Sequence, residues 1–288
     1  MKRIIKDVLA LLPDKIYLRM QYYHHTGRKL NLKSPQRYNE KLQWLKLFDH
    51  NPTYTDMVDK YKAKQFVSKK IGAQYVIPLL GVWDNADCID FDVLPNQFVL
   101  KTNHDSKGVV VCKNKDELNI EETRAFLNAR LKVNGYKYGR EWPYKNIQPK
   151  IIAEQYVEDS NGGLMDYKVV CFNGEPKLIQ LHRGRFSNDY TQDFYNTKWE
   201  RQCFNQVRER MAETLIPPPI CLSELLELSK LLAEGIAHVR VDWYVVEGKP
   251  LFGELTFFDA SGYDDFVPDE MNEIIGSWID LTMVGRKK

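Results

Sequence analysis

Four side chains near the C-terminal end carry charge or a hydroxyl where apolar residues are expected. In "HVRVDWYVV", residues 238–246, Arg240 and Asp242 alternate with Val239, Val241 and Trp243. In "PLFGELTFFDASG", residues 250–262, Glu254 and Thr256 interrupt Leu251, Phe252, Leu255, Phe257 and Phe258. Both stretches read as strands, joined at Glu247-Gly248-Lys249, with Pro250 where a strand start tolerates a missing N–H. A three-residue loop with a left-handed glycine is a common hairpin connection. It sets Asp242 opposite Glu254 and Arg240 opposite Thr256, and side-chain alternation puts all four on one face. Opposed carboxylates about 5 Å apart repel unless something positive lies between them, and burying Glu254 without a partner is costly. A divalent ion answers both. All-oxygen ligands favour Mg²⁺, which takes one or two protein carboxylates and completes its shell with water and phosphates. The same spacing also allows Arg240 to pair with one carboxylate while the other faces water, and a two- or four-residue loop would turn the side chains over.

A second group lies earlier. "FVLKTNHDSKGVVV" puts Lys101 at the end of an apolar strand, before a polar loop containing His104, Ser106 and Gly108. A lysine there can act as a point charge for phosphate, and the loop's N–H groups can close on phosphate oxygens. It is not a Walker loop, and a plain hairpin fits the same residues. "IIAEQYVED" reads as a strand becoming an extended connector that can offer backbone groups to an adenine edge. Val157 is the donor and Gln155 the acceptor, with Glu158 or Asp159 near the ribose hydroxyls; an edge strand running into a loop is the other reading.

The elements that must position these residues follow from punctuation and period. Residues 1 to about 50 read as helical, broken by Pro13 and Gly27, with Ser34 as N-cap and Pro35 in the first turn of the next helix. "YTDMVDKYKAKQFVSKKIG" predicts one amphipathic helix ending at Gly72. Short β-rich runs, a helix over "DELNIEETRAFLNARLK" and the strand "KIIAEQYV" follow. Asn173-Gly174 marks a hairpin in "DYKVVCFNGEPKLIQLHRGR". Residues 186–207 show no period and read as a long loop or lid. A triple-proline linker leads into a helix capped by Ser223, and a terminal helix follows the last strands.

At 288 residues, 43% hydrophobic and 28% charged, the chain is long enough for a sizeable core and has the composition of a globular protein. The longest apolar run near the N-terminus, Val8 to Leu12, is too short for a membrane span or a signal peptide. Five cysteines without a C-x-x-C suggest neither disulfides nor zinc, so a reducing cytoplasm is the expected location. The net charge of +2 hides an asymmetry: residues 1–46 hold eleven Lys/Arg against three Asp/Glu. That segment, with Ile4, Ile5, Val8, Leu9 and Leu12 at helical spacing, either lies on an anionic membrane face or meets an anionic substrate, or packs as a solvated helix on the domain.

In order, "DKYKAK", "FVLKTNHDSKG", "IIAEQYV", "DYKVV" before Asn173-Gly174, and "RVDWYVVEGKPLFGELTFF" resemble the landmarks of the ATP-grasp fold. The wording of "FVLKTNH", "RVDWY" and "FGELTFFDASG" is similar to the TupA-like ATP-grasp family, over roughly residues 34 to 285. The resemblance implies an α+β fold, two α/β subdomains clasping ATP behind a helical extension. Its expected divisions are 1–50, a basic helical segment; 51–95, a helix and short strands; 96–160, the N-terminal grasp subdomain; and 161–288, the C-terminal subdomain with the metal hairpin and lid.

It further implies a carboxylate–amine ligase using ATP and Mg²⁺, through an acylphosphate that an amine attacks. The expected acceptor is a uronic-acid carboxylate of a capsular or other cell-surface polysaccharide, or a precursor of it, joined to an amino acid. Asp242 and Glu254 match the metal carboxylates, and Thr256 stands where many such ligases have Asn. Arg240 matches the arginine on the transferring phosphoryl group. Lys101 and Lys60 match the phosphate lysines, and Glu154 to Val157 the adenine connector. Lys168 joins the ATP-binding set, and Ser261 and Gly262 the acceptor site. Arg183, Arg185 and Lys198 either bind the acidic sugar or γ-phosphate or are solvated. A sugar kinase, a glycosyltransferase-like protein of polysaccharide biosynthesis and a nucleotide-binding assembly factor for capsule enzymes, held at the membrane by the basic N-terminus, stay open; no nucleic-acid partner is expected.

Overall fold

The structure, a computed structural model, describes residues 9, 11–158, 164–184, 189–207 and 209–285. Helix α1 (Asp14–Thr26) ends at Gly27, whose φ of 70° is left-handed as a helix C-cap requires. Helix α2 (Tyr38–Phe48) starts later than Ser34 and Pro35 suggest. The reason is Glu40, whose carboxylate accepts from the N–H groups of Asn31, Gln36 and Arg37 at 3.3, 3.0 and 3.2 Å, holding that stretch as an extended lead-in.

The single helix expected next is two, α3 (Thr53–Val58) and α4 (Lys60–Ile71). Asp59 breaks them by leaving helical geometry and accepting from Tyr61 N and Lys62 N. This puts Lys60 at the first position of α4.

Strands β1 (Leu79–Trp83), β2 (Phe98–Thr102), β3 (Val109–Cys112) and, after helix α5 (Ile120–Leu131), β4 (Ile151–Gln155) form an antiparallel sheet in the order β1-β4-β2-β3. Its core packs Phe98, Leu100, Ile151 and Ala153 against Leu127 of α5.

The second sheet begins with β5 (Asp166–Phe172) and β6 (Glu175–Arg183), joined at Asn173-Gly174 with φ of 54° and 85°. Residues 186–207, expected to be a loop, contain strand β7 (Thr191–Asn196) and the short β8 (Asn205–Gln206). Both faces of β7 are buried, with Gln192 satisfied by buried amides and Asp193 by two arginines, so no apolar–polar alternation is visible in the sequence. Helix α6 (Leu222–Ala233) has Cys221 at its N-cap, leaving Ser223 inside the first turn. Strands β9 (His238–Val246) and β10 (Lys249–Thr256) complete the antiparallel order β10-β9-β5-β6-β7. Finally β11 (Phe266–Val267) pairs with β8, and helix α7 (Met271–Ser277) is followed by a short 3-10 turn at Leu281–Met283.

Alternation gives this sheet two distinct faces. One carries Val169, Val241 and Trp243 against α6, where Trp243 Nε1 donates to Ser229 Oγ at 2.9 Å. The other carries Lys168, Gln180, Arg240 and Asp242.

Candidate active site

Asp242 lies opposite Glu254 and Arg240 opposite Thr256, by a route other than the one expected. The turn is the two-residue Glu247-Gly248, with φ of 50° and 76°. That register alone would set Asp242 opposite Gly253. A bulge between Phe252 and Glu254 restores the pairing, with Gly253 as the extra residue. The row across the sheet is then Glu254, Asp242, Lys168, Gln180.

The two carboxylates differ. Asp242 is buried and fully engaged: Arg240 Nε donates to Oδ1 at 2.7 Å, and Arg240 Nη2 and Lys168 Nζ donate to Oδ2 at 2.8 and 2.5 Å. Burial works to raise its pKa, but Arg240 and Lys168 outweigh this and hold it at about 2. Glu254 is not buried as expected. Its side chain is 38% exposed, and its cation, Lys60 Nζ, stands 3.5 Å away. The repulsion inferred between opposed carboxylates is thus met here by Arg240 and Lys168 on one and Lys60 on the other. Thr256 Oγ1 accepts from Arg240 Nη2 at 3.3 Å, and Arg240 Nη1 also pairs with the Asp259 carboxylate. Lys168 has a further neighbour in Asp166, at 3.6 Å.

Lys60 joins the two sheets. Asn103 Nδ2 donates to Asp59 Oδ1 at 3.0 Å, and Lys60 N donates to Asn103 O at 3.0 Å, so the start of α4 is bolted to the end of β2. Lys60 Nζ reaches Asp105 O in the following loop at 3.3 Å. One helical turn on from Lys60, Lys64 Nζ binds Glu154 Oε1 at 2.7 Å while Lys101 Nζ binds Oε2 at 2.5 Å. Burial works to raise the Glu154 carboxyl; Lys101 and Lys64 outweigh it and hold the pKa below its ordinary value. Lys64 was missed in the sequence, although "DKYKAK" spaces it four residues from Lys60, on one helix face.

His104 is buried, its ring nitrogens beside Asn103 Oδ1 at 3.2 Å and Val133 O at 3.0 Å, and burial pushes its pKa down. Ser106 is exposed. Gly108 allows a close turn, since a Cβ there would stand 1.9 Å from Thr102 Oγ1. In the connector, Gln155 N donates to Pro78 O at 3.0 Å, and Val157 and Glu158 follow the strand as irregular chain. Asp159 lies outside the described residues, as does Arg185.

Arg183 falls on the sheet face away from Asp242. Its Nη2 donates to Asp193 Oδ2 at 2.9 Å and Thr214 O at 3.0 Å, and Arg201 takes the other Asp193 oxygen at 2.6 Å. The fold therefore does not bring Arg183 to the Asp242 row. Lys198 sits exposed in the turn after β7.

Beyond β10, Ala260 and Ser261 have φ of 45° and 53°, conformations that cost energy and persist only when surroundings enforce them. Helix α2 enforces them here. Gln43 Nε2 donates to Ser261 O and Gly262 O at 3.0 and 2.7 Å, and the buried Lys46 Nζ to Ser261 O and Gly139 O at 2.7 Å each. Burial pushes the Lys46 pKa down to about 8. Ser261 Oγ donates to Glu141. Asp259, which the sequence reading passed over, anchors this strained loop to Arg240 and accepts from Gln206 Nε2 at 3.1 Å.

The basic N-terminal segment is partly matched within the molecule: Arg28 and Arg37 pair with Asp265 and Asp269.

A family model described as TupA-like ATPgrasp matches residues 40–280. No curated protein matches by sequence. Among solved structures, a D-alanine–D-alanine ligase from Bacillus anthracis complexed with ATP aligns at 16% identity and TM-score 0.43, over 70% of this chain and 53% of that one. A D-alanine–D-alanine ligase from Helicobacter pylori aligns at 14% identity and TM-score 0.45, over 85% and 70%. A phosphoribosylamine–glycine ligase from Thermotoga maritima aligns at 13% and 0.40, over 73% and 50%. The chain spans about half the length of the first and third of these.

Proposed function

The chain belongs to the TupA-like ATP-grasp family, and from that premise we propose that it is an ATP-dependent carboxylate–amine ligase. ATP phosphorylates a carboxylate, an amine attacks the acylphosphate, and an amide, ADP and phosphate leave. The observation that carries this reading is the row of Glu254, Asp242 and Lys168 with Arg240 beside it, joined through Lys60 to the end of β2 and the loop that follows it.

Phosphoryl transfer asks for positioning and charge stabilisation rather than covalent help from the protein. Lys101 and Lys60 hold phosphate oxygens, and the N–H groups of the loop after β2 close on them. Arg240, fixed by Asp242 and Asp259, presents its guanidinium to the transferring phosphoryl group. Glu254 would hold Mg²⁺: it is an oxygen donor, accessible, with its cation only at 3.5 Å, whereas Asp242 and Thr256, expected beside it on the metal, are engaged here by Arg240 and Lys168. When bound, Mg²⁺ supplies charge neutralisation on the phosphates.

The acceptor in this reading is a uronic acid of a capsular or other cell-surface polysaccharide, or its precursor, and the amine an amino acid. The family resemblance supports that choice. Purified protein is incubated with ATP, Mg²⁺, glucuronic acid and an amino-acid mixture. ADP and free phosphate formed only when acid and amine are both present support the ligase. ADP formed with the sugar alone, without free phosphate, replaces it with a kinase.

A further inference from the structure

Away from these residues, the outer face of α1 has no role in the reading above. Tyr17, Leu18 and Tyr22 of this helix are buried with Leu30 and Tyr263. Successive helical residues are about 100° apart, so Ile16, Met20 and Tyr23 fall together on the opposite arc, where they are 49%, 44% and 60% exposed. Leu11, 84% exposed, lies just before the helix. Lys15 and Arg19 are exposed along one edge of the apolar arc and His24 along the other.

The acid of the helix, Asp14, is turned away, pairing with Arg140 Nε at 3.1 Å and accepting from the Tyr136 hydroxyl at 2.5 Å. The preceding sequence adds Lys2, Arg3 and Lys6 against Asp7. Single exposed apolar side chains need no explanation. Three in register on a helix already apolar on its other side do, because such a helix requires cover on both faces.

We propose that α1 lies flat on an anionic lipid surface. Ile16, Met20 and Tyr23 enter the boundary between headgroups and acyl chains, and Lys15 and Arg19 pair with lipid phosphates while their stems cover apolar area. The cationic edge and the acid-free outer face favour this surface over an apolar groove of another protein, which would cover Ile16 and Met20 but gain nothing from Lys15 and Arg19. Among the described residues no helix is long and apolar enough to cross a membrane, which fits contact in the plane. The proposal does not depend on the ligase reading.

The test is co-sedimentation of the full chain with vesicles of phosphatidylcholine alone or with about one third phosphatidylglycerol. The protein pellets with the anionic vesicles only, and releases as salt is raised from about 50 to about 500 mM. Ile16→Glu and Met20→Glu each lower the partition coefficient about tenfold or more, while Val93→Glu, at a 73% exposed apolar site elsewhere, leaves it unchanged. Unaltered circular dichroism confirms that the variants fold. No binding to anionic vesicles, equal binding to both compositions, or equal loss with Val93→Glu overturns the proposal. So does a self-association abolished by Met20→Glu in a protein that ignores vesicles.

Discussion

Around β2 and β4, Lys64 and Lys101 close on a single carboxylate, Glu154, with Lys60 one helical turn away; around β9 and β10, Asp166, Asp242, Glu254 and Asp259 gather about Arg240 and Lys168. One sheet thus presents an excess of cations and the other an excess of carboxylates, and they meet at Lys60. A triphosphate with a divalent ion needs both kinds of wall, and neither sheet alone supplies them. Burial differs as well. Glu154 and Asp242 are locked beneath two cations each, whereas Glu254 is accessible, and it is Glu254 that the proposed reading gives to the metal.

The largest expected effect comes from Asp242→Asn, which leaves Lys168 and Arg240 buried without their shared carboxylate. Urea unfolding should show a loss of about 3–5 kcal/mol, and ATP turnover should fall about a hundredfold or more. A variant with normal stability and turnover would remove Asp242 from the account.

Acid comes next, and it separates the carboxylates from their neighbour His238. This buried ring accepts from the Tyr38 hydroxyl at 3.0 Å and donates to Phe257 O at 3.0 Å, and burial pushes its pKa from 6.5 down to about 4. Its neutral form is the folded form, so its stability contribution is complete above pH 6.5 and is lost as pH falls towards 4, by about 3 kcal/mol in all. Asp242, held at about 2, keeps its charge through that window and contributes its own loss only below its ordinary 3.8. Denaturation midpoints between pH 7 and 4.5 should decline in the wild type and stay flatter in His238→Gln.

A smaller loss, about 1–3 kcal/mol, is expected for Lys64→Met, because Lys101 still compensates Glu154. The Glu154 pKa should rise, which a titration by NMR reads directly. The smallest effect on stability belongs to Glu254→Gln: less than about 1 kcal/mol, as for other accessible ion pairs. A large loss there would mean that Glu254 is structural after all.

The facing of Asp242 and Glu254 was legible because alternation on two neighbouring strands leaves few registers. The turn was not, since Glu247-Gly248-Lys249 fits a three-residue loop as readily as Glu247-Gly248 fits a two-residue one. Gly253, a glycine inside a strand, was the available sign of the bulge that corrects the register. The accessibility of Glu254 was illegible in an apolar strand, because it depends on what other segments leave uncovered. Strand β7 was hidden for the opposite reason: Gln192 and Asp193 are buried polar residues whose partners, Asn205, Gln206, Arg183 and Arg201, come from other segments. Asp259 and Lys46 act through the strained loop beyond β10, a contact between distant parts of the chain that local pattern does not encode.

The division between the two walls is tested most directly by titrating ATP calorimetrically into wild type, Lys101→Met and Glu254→Gln, each with Mg²⁺ and again with EDTA. Lys101→Met should weaken nucleotide binding in both conditions, and Glu254→Gln only when Mg²⁺ is present. Equal weakening of Glu254→Gln with and without Mg²⁺, or none at all, would contradict the assignment of the metal to the β9–β10 wall.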